Sequence, residues 1–395
     1  MFPTDVVILG GARTPMARYT GAFKDVSAID LGAHAAREAL RRAGTDAAEI
    51  DQVVFGNVMQ TSADAIYGAR HVGLKAGVNT ETPAVTVNRL CGSGIEAIIQ
   101  AAHRILLGEA KFVLAGGMEN MTQAPHVIRG ARTGLRLGDG KLEDSIWVAL
   151  TDTYCGFSMA ETAENLAAEH GITRQAADEF ALRSQQAAEA AYKAGRLQEE
   201  IVPVEVKEGR KTKLVSEDDH RRPETTMEML ASLPPAFRKE GIITAGNASG
   251  VVDGAAAVVV THAKTARELG RKPMARIISW AACGVEPRVM GIGPVPASRQ
   301  ALERAGLKLE QMDLIEVNEA FAPQYLAVEK VLGLDRSKTN VNGGAIALGH
   351  PLGASGTRLV LTLLYELRRR AARYGLATAC IGGGQGIALI VESVS

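Results

Sequence analysis

The sequence predicts an α/β fold made of two copies of one unit, and three observations carry that prediction. The first is a repeat: Arg37–Gly44, REALRRAG, returns as Arg299–Gly306, RQALERAG, and seven residues after each glycine an aspartate, Asp51 or Asp313, opens an apolar run, QVVFGN or LIEVNE. The second lies further along each copy. VNRLCGSG (Val87–Gly94) shares its frame with the VN and GASG of Val341–Gly356; a helical pattern follows each, then a strand-like run and a glycine cluster, KFVLAGGME and LATACIGGGQG. The third is the alternation itself. Strands separated by helices of this length make parallel or mixed sheets covered on both faces.

Taken in order, the chain opens on a strand, VVIL, within a few residues of its start. The first copy of the repeat runs from there to KFVLAGGME. From Met121 the composition turns more polar, with helical segments TAENLAAEHG and TRQAADEFALRSQQAAEAAYKAG. Thr162 and Thr173 read as caps there, Gly171 and Gly195 as stops. DGAAAVVVTH then reads as a strand returning to the first half, and the second copy fills the rest. The expected division is therefore 1–120 plus 248–270 for the first half, 121–247 for an inserted loop domain and 271–395 for the second half.

Composition narrows the function. The 395 residues exceed one ordinary core, and 46% hydrophobic content supplies ample buried sheet. Lys+Arg and Asp+Glu are both 44, so charge gives no argument for nucleic acid or a membrane surface, and 4% aromatics offer little for base stacking. No apolar run approaches 18 residues, and the N-terminus lacks the basic and apolar regions of a signal peptide. The four cysteines, Cys91, Cys155, Cys283 and Cys380, stand far apart with no CxxC pair, which suits a reducing compartment and argues against structural zinc. A cytoplasmic protein is expected, or a mitochondrial matrix one in a eukaryote.

Chemistry concentrates in the two glycine-flanked turns. Cys91 sits between a strand-like run and a helix, where free amides and the helix dipole favour thiolate, although buried inert cysteines are as common in such a turn. His350 lies in the matching turn of the second copy, and Cys380 precedes CIGGGQG. If the copies pack about a pseudo-twofold axis, two thiols and an imidazole meet and can divide nucleophilic attack from proton transfer. Asn318 and Glu319 end the strand that matches QVVFGN; each also reads as a turn-forming, capping or solvated residue.

CGSG at 91–94, TAGNASG at 244–250, NEAF at 318–321, GHP at 349–351 and CIGGG at 380–384 together resemble the signature blocks of the thiolases, over essentially the whole chain. VNEAFAPQYLAVE and KTNVNGGAIALGHPLG most resemble the mitochondrial-type 3-ketoacyl-CoA branch, close to the acetoacetyl-CoA thiolases. The resemblance implies the thiolase fold, two α/β halves in a five-layered αβαβα stack with an inserted loop domain. It implies an acyltransferase that cleaves 3-ketoacyl-CoA with CoA, or runs the reverse Claisen condensation. Coenzyme A would be a substrate, with no permanently bound cofactor and no metal.

By resemblance, Cys91 carries the acyl group, His350 takes its proton, and Cys380 moves the proton at the α-carbon. One oxyanion site maps to His350 and a water held by Asn318. The other maps to the N–H groups of Cys91 and Gly382, where no Cβ is expected to fit. Arg222 and Thr225 in HRRPETT and Ser249 in GNASG are the expected CoA contacts. Ser158 and Met159 in FSMAETAEN, with Met290 in VMGIGP, are expected to line the acyl and pantetheine pocket; the methionines could equally be core filler. Acetoacetyl-specific relatives usually carry His where Ser158 stands, so a broader chain-length range is expected. A homotetramer is implied, with HVIRGARTGLRLGDGK as its contact loop. The rival readings are a short-chain acetoacetyl-CoA thiolase, another condensing enzyme of the same fold, the β-subunit of a fatty-acid oxidation complex, and a non-catalytic acyl-CoA or sterol-carrier-like binding protein.

Overall fold

The computed structural model describes residues 5–394. Its main sheet is built from β1 (Val6–Arg13), β2 (Gln52–Gly56), β3 (Ala84–Val87), β4 (Phe112–Glu119), β5 (Val252–His262), β6 (Ala275–Gly284), β7 (Leu314–Val317), β8 (Tyr374–Ile381) and β9 (Gln385–Ser393), with a short strand, Ala17–Arg18, pairing with β5. The order is β7-β8-β9-β6-β1-β5-β4-β2-β3. Two sheets meet here. The β1–β5 set and the β6–β9 set pair through Val7–Arg276 and Ile8–Ala275, so the ladder is continuous although the halves pack as separate layers.

The long helices are α1 (Ala28–Ala43), α2 (Gly68–Ala76), α3 (Ser93–Leu106), α4 (Met159–His170), α5 (Arg174–Lys193), α6 (Pro294–Ala305), α7 (Ala322–Leu332) and α8 (Leu352–Arg370). One core cluster unites α3 and α8 with the inward faces of both sheets. A second packs α1 and α2 on the outer face of the first sheet, and a third packs α6 and α7 on the outer face of the second. The stack is therefore helix, sheet, helix, sheet, helix. α8 is buried nearly all round over Leu352–Leu367, as a central layer requires.

The repeat is visible atom by atom. Asp51 Oδ2 accepts the N–H groups of Lys111 and Phe112 at 2.7 and 3.0 Å, and Asp313 Oδ2 accepts those of Arg373 and Tyr374 at 2.9 and 2.8 Å. Gly44 and Gly306 close their helices at φ 59° and 66°, left-handed values that cost a side chain strain. Where α3 and α8 cross, equivalent glycines face each other. A Cβ on Gly94 would lie 2.4 Å from the Thr357 nitrogen, and one on Gly356 would lie 2.4 Å from the Ile95 nitrogen. Such reciprocity places a pseudo-twofold axis between the two helices.

Between β4 and β5 the chain forms three small hairpins, α4 and α5. Thr173 caps α5 as expected, but α4 begins earlier than Thr162. Its cap is Ser158, which forms a reciprocal capping box with Glu161, because Met159–Glu161 continue the helix with its first N–H groups satisfied. The stretch KEGRKTKLVSEDDHRRPETT from Lys207, rich in both charge signs, opens in a hairpin of Val204–Glu208 with Lys211–Val215. Just beyond the hairpin, buried Asp218 grips Arg13 of β1 through two bonds of 2.7 and 2.9 Å, while Glu200 takes the Arg13 Nε at 2.6 Å.

Candidate active site

The thiol turn is built by its own sequence. Asn88 Oδ1 accepts the Leu90 N–H at 3.0 Å, Ser93 Oγ accepts the Arg89 N–H at 2.8 Å, and the Ser93 hydroxyl donates to the Leu90 carbonyl at 2.7 Å. These bonds force Leu90 into a left-handed conformation, φ 46°, which a branched side chain adopts only under constraint. The next residue is Cys91, at the threshold of α3, partly accessible from a narrow pocket.

His350 enters from the other half. Gly349 before it has φ 91° and would bring a Cβ to 2.3 Å from Val252, so only glycine makes this turn. The His350 N–H donates to the Gly250 carbonyl at 2.9 Å, and Ser249 N–H donates to Ala320 O at 3.0 Å. Thus the 244–250 block is zipped between the NEAF and GHP blocks. The imidazole is buried, with Nδ1 2.5 Å from Ser355 Oγ and Nε2 3.3 Å from Asn318 Nδ2. Ser355 donates its single proton to the Pro351 carbonyl at 2.9 Å, so its oxygen accepts from Nδ1–H. Nε2 is left with its lone pair, in a neutral ring. Burial, then the Arg358 charge, holds its pKa down at about 3. Asn318 Oδ1 is buried and without a partner among the described residues.

Cys91 and His350 line one pocket with Ser158, Met159, Ser249 and Met290, so four of the six expected substrate contacts converge there. Trp147, Leu150, Phe237 and Phe321 complete walls that are almost wholly apolar; Phe321 ends the NEAF block, whereas the other three stand in no pattern that marks a pocket. Arg222 and Thr225 lie elsewhere, on a neighbouring surface groove with His220 and Gln185, and the Arg222 side chain is exposed. Cys380 is fully buried behind the pocket wall, packed with Met290 and Ala320 against Met159 and Phe321, and its thiol feels that of Cys91.

Three expectations need correction. The helix N-terminus does not make Cys91 a resting thiolate. Burial pushes its pKa up to about 11 and outweighs the N–H groups of Gly382 and Cys91 that favour the anion. Burial, reinforced by Cys91, drives the Cys380 thiol far upward as well. Gly382 is less strictly a glycine than expected. A Cβ there would meet only the mobile ends of Leu90 and Met159, at 3.1 Å each, whereas Gly383 and Gly384 take φ 79° and 83° in the tight turn from β8 to β9. Glu319, read as capping or solvated, is buried and bonded to Ser184, Asn340 and the Ile346 N–H. Sequence reasoning missed Ser355, Glu119 and the strain at Leu90.

With this geometry in view, the likenesses are specific. The thiolase N-terminal domain family matches residues 6–264 and the thiolase C-terminal domain family residues 271–393. Human mitochondrial 3-ketoacyl-CoA thiolase is 53% identical over 391 residues, covering 99% of this chain and 98% of the relative. An acetyl-CoA acetyltransferase of Cupriavidus necator is 50% identical over 391 residues, covering 98% of this chain and 99% of the relative. The crystal structure of the human mitochondrial enzyme superposes with a TM-score of 0.97 over 99% of both chains, and its complex with CoA with 0.96 over 98% of both, each at 53% identity. Both halves of the fold, the thiol turn and the histidine turn thus lead to one conclusion: this chain is an acyltransferase of the thiolase family.

Proposed function

We propose that the chain cleaves 3-ketoacyl-CoA with CoA to acetyl-CoA and a shortened acyl-CoA, and catalyses the reverse condensation, through an acyl group carried on Cys91. The observation that carries this reading is His350, oriented through Nδ1 by Ser355, sharing one pocket with Cys91. In cleavage the Cys91 sulfur attacks the C3 carbonyl as its proton passes to His350 Nε2. The oxyanion is met by N–H donors, His350 Nε2–H with an Asn318-held water on one side and the Cys91 and Gly382 amides on the other serving the two half-reactions. The C2–C3 bond breaks, and C2 takes its proton from Cys380. The CoA thiol then returns a proton to Cys380 and attacks the acyl-enzyme, and Cys91 leaves with the proton held by His350.

High thiol pKa values fit this scheme. Each sulfur stays protonated until a substrate is present, so neither is an exposed, oxidisable thiolate at rest. The apolar walls, with Ser158 capping α4 beside Met159, support a range of acyl lengths over a strict four-carbon preference. Arg222 and Thr225, on the groove beyond Gly250, are proposed to meet the nucleotide end of CoA. A homotetramer, as a dimer of dimers joined through the exposed 126–141 loop, and an organisation into halves 1–120 plus 248–270 and 271–395 around an inserted 121–247, complete the reading.

Two measurements test it. Incubation with CoA and 3-ketoacyl-CoAs of four to sixteen carbons is expected to give activity beyond four carbons; activity on acetoacetyl-CoA alone would make it a short-chain thiolase. In intact-protein mass spectrometry, Cys91→Ala is expected to show no acyl adduct, and Cys380→Ala to acylate from acyl-CoA yet stall at C–C bond making. Normal turnover by the Cys380 variant would refute the division of roles.

A further inference from the structure

The C-terminal residue of β4, Glu119, is fully buried, and the reaction above does not use it. Among the described residues its carboxylate has no ion-pair partner. Instead Oε1 accepts from Asn57 Nδ2 and the Met59 N–H, each at 3.0 Å, and Oε2 accepts from the Val58 N–H at 3.1 Å and the Gly353 N–H at 2.9 Å. Two donors on each oxygen occupy all four lone-pair directions and leave none for a proton, so the geometry is that of an anion.

Those donors come from both halves of the molecule. Asn57–Met59 follow β2 of the first half, and Gly353 lies in the first turn of α8, three residues after His350. The fit around that turn leaves no slack. A Cβ on Gly117 would lie 1.9 Å from the Gly353 carbonyl oxygen, and one on Gly353 would lie 2.6 Å from the Met118 carbonyl oxygen. The turn bearing the base is thus pressed onto the strand ends of the other half, and Glu119 is the bonded pin through it.

We propose that Glu119 is a positioning residue, whose buried anion fixes the His350 turn against the half that carries Cys91. The inference rests on the Cys91–His350 reading above. The anion also bears on the thiol, because its charge adds to burial in raising the Cys91 pKa. The groups facing Glu119 are Cys91 and, from β5, Asp253, whose own charge is bonded by Thr122 at 2.5 and 3.0 Å. Burial, reinforced by Asp253, raises the Glu119 pKa to about 7, and the hydrogen bonds from the Met59, Gly353 and Val58 N–H groups oppose that shift and favour the anion.

The test follows iodoacetamide alkylation of Cys91 against pH in the full-length protein, alongside the single-turnover rate of acylation by acetyl-CoA. In Glu119→Gln the alkylation midpoint is expected to fall by about half to one pH unit while acylation drops about 10- to 100-fold, because a displaced base loses much of its rate. A purely structural residue would lower stability without moving the alkylation midpoint. Glu119→Asp, which keeps the charge but shortens the reach, is expected to hold the wild-type midpoint and still acylate at least tenfold more slowly. It carries the test if the Gln variant does not fold. An unmoved midpoint in folded Glu119→Gln, or wild-type acylation in Glu119→Asp, would overturn the proposal. Alkylation needs no acyl-CoA, so failure of the wild type to turn over any ketoacyl-CoA would sink the thiolase reading and leave the charge effect of Glu119 separately measurable.

Discussion

His350 is held neutral by its surroundings, and that has a cost in acid. Its folded pKa, about 3, lies below the ordinary value of 6.5, so the unfolded chain binds a proton that the folded chain refuses. The stability it contributes is fully present above pH 6.5 and is lost as pH falls toward 3. His220, pushed down to about 4 by burial and then by Arg222, acts in the same direction, while Glu119, raised, acts in the opposite one. Urea unfolding of wild type and His350→Asn between pH 4 and 7 isolates the single group: the wild type is expected to lose stability more steeply with acid. Equal slopes would show that the imidazole is not held neutral. The turns that bring Cys91 and His350 to one pocket, with Cys380 behind its wall, were legible because glycine-flanked turns mark places where backbone and ligand approach closely. The pKa values of these side chains were not, because burial, a property of the whole fold, outweighs the local helix terminus.

Among elements, the crossing of α3 and α8 sets the site, since both helices begin at it. Gly94→Ala would drive a methyl group to 2.4 Å from the backbone of the other helix, and neither backbone can yield without moving a catalytic turn. A loss of about 3 kcal/mol or more is expected by chemical denaturation, at the upper end of overpacking costs. Gly382→Ala, facing flexible side chains, is expected to fold with less than about 1 kcal/mol lost and to show its defect in turnover. If both variants were equally stable, the close approach of α3 and α8 would be wrong. The strands, helices and duplicated order of the halves could be read from the repeat, because REALRRAG and RQALERAG close their helices on the same left-handed glycine. The start of α4 could not: Thr162 offers a capping hydroxyl, but Ser158 with Glu161 offers two reciprocal bonds, and the better-satisfied terminus won.

Over the whole molecule, Arg13 does for the inserted segment what Glu119 does for the histidine turn. It is wholly buried at the end of β1, and its partners Glu200 and Asp218 both lie in the stretch between β4 and β5. Arg13→Met strands two carboxylates without a cation, so a loss of about 3–5 kcal/mol is expected by thermal or urea unfolding. A loss below about 1 kcal/mol would mean that the insertion does not rely on this anchor. The sequence could not disclose the triad, because its members lie some two hundred positions apart and the charged run that holds Asp218 looks like solvated surface.

The reciprocal glycine contact between α3 and α8 has a further consequence. The geometry is that of a symmetric pair of subunits, yet both partners belong to one polypeptide. Bringing thiol and imidazole together is therefore a first-order event: dilution cannot separate them, as it would two associating chains. Covalent linkage also frees each copy to change alone. One turn keeps a cysteine at its helix start, its counterpart keeps Gly353 for the backbone to pass, and an asymmetric reaction runs at the centre of a symmetric frame.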